Sequence, residues 1–128
     1  MSVRCLIVDD NQDFLRAAGD LLGRGGITVV GVASTGAMAR DACRELRPDV
    51  VLLDVQLGEE DGFEVARQLA DKAGPDKPRV ILISARSADD FAAMTAGSPA
   101  FSFLPKTALS GTAVLNVLAG PGEAVSGR

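Results

Sequence analysis

The 128-residue chain contains no histidine. That absence removes His-based catalytic triads, zinc sites with imidazole ligands and any phosphohistidine formed on the chain itself. Any phosphorus chemistry here therefore needs a donor from another molecule. Cysteine is scarce as well. Cys5 and Cys43 each sit inside an apolar stretch, too few for a thiolate metal site, and read as buried free thiols of a cytosolic protein. No apolar run approaches the ~18 residues of a membrane span, and the opening MSVRCLIVDD stops at two aspartates, unlike a secretory signal. There is no surplus of positive charge: 13 basic residues face 17 acidic ones, a net charge of −4, which argues against a dedicated DNA- or RNA-binding surface. No GxGxxG follows the first apolar run, where VDDNQDF stands, so a dinucleotide site is not expected there. No repeat with a period of about 20–50 residues occurs, which excludes a solenoid.

Apolar residues make up 47% of the chain, enough for a real core. Short continuous apolar runs mark strands at Val3–Val8, Ile27–Ala33, Val50–Leu53, Val80–Ile83 and Phe101–Leu104. Several are apolar at every position, as strands covered on both faces of a parallel sheet are. Segments of helical period lie between them. Phe14, Ala17, Ala18, Leu21 and Leu22 form the first stripe, with Asn11 as its cap. Ala39, Ala42, Cys43 and Leu46 form the second, after Ser34 or Thr35. Phe63, Ala66, Leu69 and Ala70 form the third, opening after Gly62, and Ala113, Val114, Val117 and Leu118 the last. A weaker helix is expected near Ala88–Ala96, ended by Gly97 and Pro99. The pattern predicts an α/β protein, a (βα)₅ unit whose right-handed crossovers give a doubly wound parallel sheet. One domain is expected over Met1–Ala119, followed by a flexible tail or linker stump, Gly120–Arg128.

The reactive side chains fall at the carboxyl ends of the predicted strands. Asp9 and Asp10 follow the first, Asp54 the third, Ser84 the fourth and Lys106 the fifth. That edge is where open α/β sheets bind ligands. Taken singly, each has an ordinary explanation in helix starts, turns and solvated faces. Their common position does not. With strands one, three and four as neighbours about 4.8 Å apart, Asp10, Asp54 and Ser84 share a pocket about 10 Å across, and the Lys106 stem can reach back into it. Carboxylates so close repel, so at least one pKa should rise. A hard divalent cation, Mg²⁺ or Mn²⁺, offsets that repulsion with oxygen ligands alone. Asp54 is expected to lie deepest, which makes it the nucleophile that forms an aspartyl-phosphate, with Lys106 and Ser84 serving the remaining phosphoryl oxygens.

With these residues in view, the chain resembles the receiver domains of two-component response regulators. The resemblance runs from about Val3 to Leu118. It is carried by LIVDDN (Leu6–Asn11), VVLLDVQL (Val50–Leu57), Asp61-Gly62, VILISA (Val80–Ala85) and FLPK (Phe103–Lys106). The separations of 44 residues from Asp10 to Asp54, 30 on to Ser84 and 22 on to Lys106 are similar too. The resemblance implies a flavodoxin-like sheet of order 2-1-3-4-5. It implies phosphorylation of Asp54 by a histidine kinase or phosphotransfer protein. The implied Mg²⁺ is held by Asp10, by Asp54, by the Gln56 backbone carbonyl and, through water, by Asp9. Ser84 and Phe103 correspond to the switch pair, Lys106 to the family's lysine, and Ala85 leaves room for phosphate. Gln56 and Arg86 occupy positions that tune phosphate lifetime. The implied output is contact with a downstream protein, in the cytoplasm, with no membrane and no direct nucleic-acid contact, and with no enzymatic activity beyond self-dephosphorylation.

Three departures carry expectations of their own. Gly58 stands where the family often has proline, and predicts a looser loop over Gly58–Asp61. Pro105 precedes Lys106 and Thr107 follows it, so the cis bond common after that lysine is not expected. The weak helix near Ala88–Ala96 puts the usual output face in question. Two other functions stand beside the main one. A receiver-shaped interaction module could work without phosphate. A phosphohydrolase resembling the haloacid-dehalogenase class would use Asp9, but has Asn11 where a second aspartate is needed and no visible cap domain. The chain ends soon after its last predicted helix, which suits a stand-alone receiver, although an excised domain with its linker would look the same.

Overall fold

The fold is described from a computed structural model over residues 3–70, 78–85 and 102–119. The helix expected near Ala88–Ala96, Arg86, Phe101 and the tail Gly120–Arg128 lie outside the described residues. Five parallel strands form one sheet: β1 Val3–Val8, β2 Ile27–Ala33, β3 Val50–Asp54, β6 Arg79–Ser84 and β7 Ser102–Pro105, in the order β2-β1-β3-β6-β7. This is the expected doubly wound order. A two-stranded hairpin, β4 Gln56–Leu57 with β5 Glu60–Asp61, projects from the end of β3. The described helices are α1 Gln12–Arg24, α2 Gly36–Leu46, α3 Gly62–Ala70 and α4 Gly111–Ala119. None is long and apolar enough to cross a membrane.

The alternation of side chains along a strand divides the core in two. Leu6, Val8, Val51, Leu53 and Leu82 point to the face covered by Ala39 and Cys43 of α2 and by Val65, Ala66 and Leu69 of α3. Cys5, Ile7, Val50, Leu52, Ile81 and Ile83 point to the opposite face, under Leu15, Ala18 and Leu22 of α1 and Val114 of α4. Both faces being covered explains the apolar runs Cys5–Val8 in β1, Val50–Leu53 in β3 and Val80–Ile83 in β6. Both cysteines are buried and neither is in a disulfide, as expected, and burial pushes the Cys5 thiol up to about 12.

Three local expectations need correction. The buried line of α1 runs through Leu15, Ala18 and Leu22, while Leu21 is 42% exposed and Phe14 only half-buried. The stripe read from the sequence is rotated by one position, because Phe14 and Leu21 edge the buried seam rather than fill it. The described part of the fifth strand, Ser102–Pro105, runs one residue past the expected end at Leu104. Pro105 ends an edge strand, where a missing N–H is tolerated. The loop around Gly58 is not loose. Gln56 pairs with Asp61 and Leu57 with Glu60, and Gly58 takes φ 62°, which suits a tight turn at no steric cost. Leu57, 2% exposed, anchors the hairpin in the core. No cis peptide occurs among the described residues, in line with the expectation for Lys106–Thr107.

Candidate functional site

Strand register brings the site together. Val8 lies opposite Leu53, so Asp9, the next residue, comes level with Asp54. Asp54 in turn lies opposite Ile83, which sets Ser84 one step further along the same edge. Ser84 is opposite Pro105, so Lys106 emerges just beyond it. The carboxyl ends of β1, β3 and β6 are buried and so are fixed by the core beneath, whereas β7 is half-buried along its length.

Asp9, Asp10 and Asp54 each offer a carboxylate oxygen within 4.8 Å of the others. The Lys106 ammonium enters from the far side, 2.6 Å from Asp9 Oδ2 and 3.4 Å from Asp54 Oδ2. The two carboxylates use their other oxygens alike. Asp9 Oδ1 accepts from the Asn11 N–H at 2.9 Å, and Asp54 Oδ1 accepts from the Gln56 N–H at 3.2 Å. One oxygen of each is thus tied to the adjoining loop, and the other meets the ammonium. Asn11 also caps α1, accepting from the Phe14 N–H. A single turn therefore places Asp9 and starts the helix.

Asp9, not Asp54, lies deepest, which corrects the sequence expectation: it is wholly buried, whereas Asp54 is 8% exposed. The reason is positional. Asp9 sits between β2 and β3, its backbone N–H bonded to Ala33 O, while Asp54 faces the cavity. That cavity measures about 920 Å³, and Asp10, Asp54, Gln56, Ser84, Ala85 and Lys106 are on its wall. Ser84 is 3% exposed, and Phe103 is half-buried against the α2–α3 side of the core. Asp9, Asp10, Asp54, Gln56, Ser84 and Lys106 therefore gather at one end of the sheet, whereas Phe103 lies further back in β7, opposite Leu82. Arg86 lies outside the described residues.

The electrostatics bear out one expectation and change its cause. Asp54 is held above the ordinary carboxylate pKa, chiefly by burial and secondarily by the charge of Asp9, against the opposing pull of the Gln56 N–H and Lys106. Burial would lower the pKa of Lys106, but Asp9 and Asp54 together outweigh it and hold the pKa above the usual lysine value. Asp9 Oδ2 is a buried oxygen without a hydrogen-bond partner among the described residues; its contact with the ammonium is an ion pair outside hydrogen-bond geometry. A buried carboxylate oxygen in this condition, beside two further carboxylates, fits a hard divalent cation with oxygen ligands.

Sequence reasoning missed three contributors. Phe14, assigned to the helix core, places its ring face under the Lys106 ammonium, 4.3 Å from the ring centre. Glu60, exposed in the hairpin, accepts at 2.8 Å from the Gly36 N–H and ties the hairpin to the first turn of α2. Gly62 has a reason to be glycine that spacing could not reveal. A Cβ there would stand 2.2 Å from the Asp54 carbonyl oxygen, because its N–H bonds Val55 O and holds α3 against the end of β3. The only signals available were an aromatic in the first turn after the aspartate pair and the Asp-Gly step itself.

Comparison with known proteins agrees with this geometry. Residues 5–116 match the response regulator receiver domain family. The chain is 37% identical over 107 residues to the response regulator MprA of Mycobacterium bovis, covering 83% of this chain and 45% of that protein. It is 35% identical over 86 residues to a protein-glutamate methylesterase/protein-glutamine glutaminase of Halobacterium salinarum, covering 66% of this chain and 24% of that protein. The chain thus spans about a quarter to under half of these relatives. Among solved structures, the signal receiver domain of NarL from Mycobacterium tuberculosis superposes with a TM-score of 0.77 at 32% identity, covering 93% of this chain and 98% of that one. Acidic strand ends, a lysine reaching back over them and a match over nearly the whole sheet lead to one conclusion: the chain belongs to the response regulator receiver domain family.

Proposed function

We propose that the protein is a phosphoacceptor switch of a two-component phosphorelay, taking a phosphoryl group onto Asp54 from the phosphohistidine of a histidine kinase or phosphotransfer protein. The observation that carries this reading is the pairing of Asp54 with Lys106 at 3.4 Å on the wall of an open cavity, with Asp9 and Asp10 adjacent. Only a carboxylate that faces such a cavity can meet an incoming phosphoryl group. Asp9 is wholly buried, which disfavours it as nucleophile and with it the phosphohydrolase alternative.

In this reading Asp10, Asp54 and the Gln56 backbone carbonyl hold Mg²⁺ (or Mn²⁺), and Asp9 acts through water. The cation supplies charge neutralisation for the incoming phosphoryl oxygens. Asp54 attacks phosphorus, and the P–N bond to the donor imidazole breaks; the imidazole leaves carrying its electron pair and a proton from solvent. Lys106 donates to one phosphoryl oxygen and Ser84 to another. Phe103 follows Ser84 inward, which alters the surface offered to a downstream protein. Gln56 and Arg86 set how fast water removes the phosphoryl group. The site is a regulator with self-dephosphorylation at most, acting in the cytoplasm by protein contact.

Incubation with phosphoramidate and Mg²⁺ should add one phosphoryl group to the intact protein, read by mass. Asp54→Asn should abolish the gain. Undiminished labelling of that variant would refute the assignment.

A further inference from the structure

Among the described residues, three groups stand against the Lys106 ammonium: Asp9 Oδ2 at 2.6 Å, Asp54 Oδ2 at 3.4 Å and the Phe14 ring at 4.3 Å. The first two are charged groups of the acidic cluster itself. The third is not. Phe14 enters from the first turn of α1, placed there by the Asn11 cap, while its partner comes from the far edge of the sheet after β7. We infer that Phe14 is a positioning residue, whose ring face seats the Lys106 ammonium over Asp54 independently of the charge state of the carboxylates.

The three neighbours differ in what they keep doing when the charge of the site changes. The proposed reading, on which this inference rests, changes the charge of the cluster twice, once with the cation and once with the phosphoryl group. A cation at the aspartates competes for the negative charge that attracts the ammonium and repels the ammonium directly. The ring quadrupole is unaffected by either event. The contact also leaves hydrogen-bonding capacity free. An ammonium carries three N–H donors. Asp54 Oδ2 occupies a donor that the phosphoryl oxygens later need, whereas a ring face below the nitrogen attracts the charge without a conventional acceptor. Lysine is otherwise a flexible four-carbon stem with many rotamers, and the side chain here is 19% exposed, so a way out to solvent exists. A third wall that persists when the first two change keeps the stem folded back. Phe14 is half-buried at the edge of the α1–α4 core rather than within its buried seam, which separates this role from simple core filling.

The test compares Phe14→Leu, which keeps an apolar side chain but loses the ring, with Phe14→Tyr, which keeps the ring face. Two quantities are read on the full chain. The first needs neither metal nor phosphate: the acetylation rate of Lys106 with acetic anhydride in EDTA, followed by peptide mass spectrometry. Phe14→Leu should raise it roughly five-fold, and Phe14→Tyr should leave it within about two-fold of wild type. The second is the rate of phosphoryl gain from phosphoramidate at saturating Mg²⁺. It should fall roughly five-fold in Phe14→Leu, about 1 kcal/mol, and recover in Phe14→Tyr. Wild-type values for Phe14→Leu in both measurements would overturn the inference. So would equal defects in the two variants, which would reduce Phe14 to packing. Neither result touches the acceptor assignment, which fails separately if Asp54→Asn is still labelled.

Discussion

Replacing Lys106 by methionine should reveal how strongly the acidic site opposes folding when its ammonium is gone. Methionine keeps an unbranched apolar stem and removes only the charge. Asp9 is then left wholly buried, with an oxygen that had no partner other than the ammonium, and Asp54 loses its counter-charge at 3.4 Å. Removing one member of a buried pair costs about 3–5 kcal/mol. The Lys106 side chain is 19% exposed, so water can partly replace it, and about 2–3 kcal/mol is the appropriate range here. Unfolding in urea with EDTA present, at a slope of about 1.5 kcal/mol/M, converts this to a fall in midpoint of about 1.5–2 M. Asp9→Asn in the same background removes the uncompensated buried charge and should restore most of the loss. Asp9→Asn alone should be close to neutral, because it gives up the ion pair and relieves the repulsion with Asp54 together. The double-mutant cycle should therefore return a coupling of about 2 kcal/mol. Additivity within about 0.5 kcal/mol would refute the reasoning, since it would mean that the 2.6 Å contact does not join the two side chains in energy.

Two further outcomes follow from the geometry. Burial first, and the charge of Asp9 second, raise Asp54 above its ordinary value of 3.8, so the folded state holds that proton more tightly than the unfolded chain. The resulting stability is fully present below about pH 4 and is lost as pH rises through the raised folded value. Asp54→Asn should therefore match wild type in urea midpoint near pH 3.5 and exceed it at pH 7 without metal; a difference that stays constant with pH would be the wrong sign of evidence for a buried carboxylate. Gly62→Ala forces a Cβ to within 2.2 Å of the Asp54 carbonyl oxygen and 2.6 Å of Val55 Cα. It should lower stability by about 1–3 kcal/mol and slow phosphoryl gain on Asp54, and an unchanged urea midpoint would show that α3 can move away freely.

The sequence disclosed the sheet because three of its strands are buried on both faces, which turns period two into continuous apolar runs such as Leu6–Val8 and Val50–Leu53. It disclosed the reactive set because parallel strands all end on one edge, so positions after successive strands become neighbours in space. Depth was harder to read. Asp9 and Asp54 look alike in sequence and both stand at the ends of strands flanked on two sides; what separates them is that Asp54 lines the cavity and Asp9 does not. The hairpin after Asp54 escaped for a different reason. Gly58 was read for its freedom, whereas Leu57 on one side and the Gly62–Val55 bond on the other use that freedom to close a tight turn. The rotation of the α1 stripe came from an apolar residue at every edge position, which leaves helical phase poorly determined. Phe14 was absorbed into that stripe, and its partner lies 92 residues away.

These features locate where the site can respond. The ends of β1, β3 and β6 cannot separate to relieve the repulsion among Asp9, Asp10 and Asp54, because Val8, Leu53 and Ile83 beneath them are fully buried and paired in register. Strain at the carboxylates is therefore carried by parts that hold by fewer contacts. One is the short helical turn at Lys106–Ala108, which begins immediately after an edge strand. Among the described residues, a change of charge on Asp54 acts most directly on Lys106 and the turn that carries it. A rigid sheet that presses like charges together, bordered by a short turn that carries the opposite charge on Lys106, is the arrangement in which a single added group can shift a surface without altering the core.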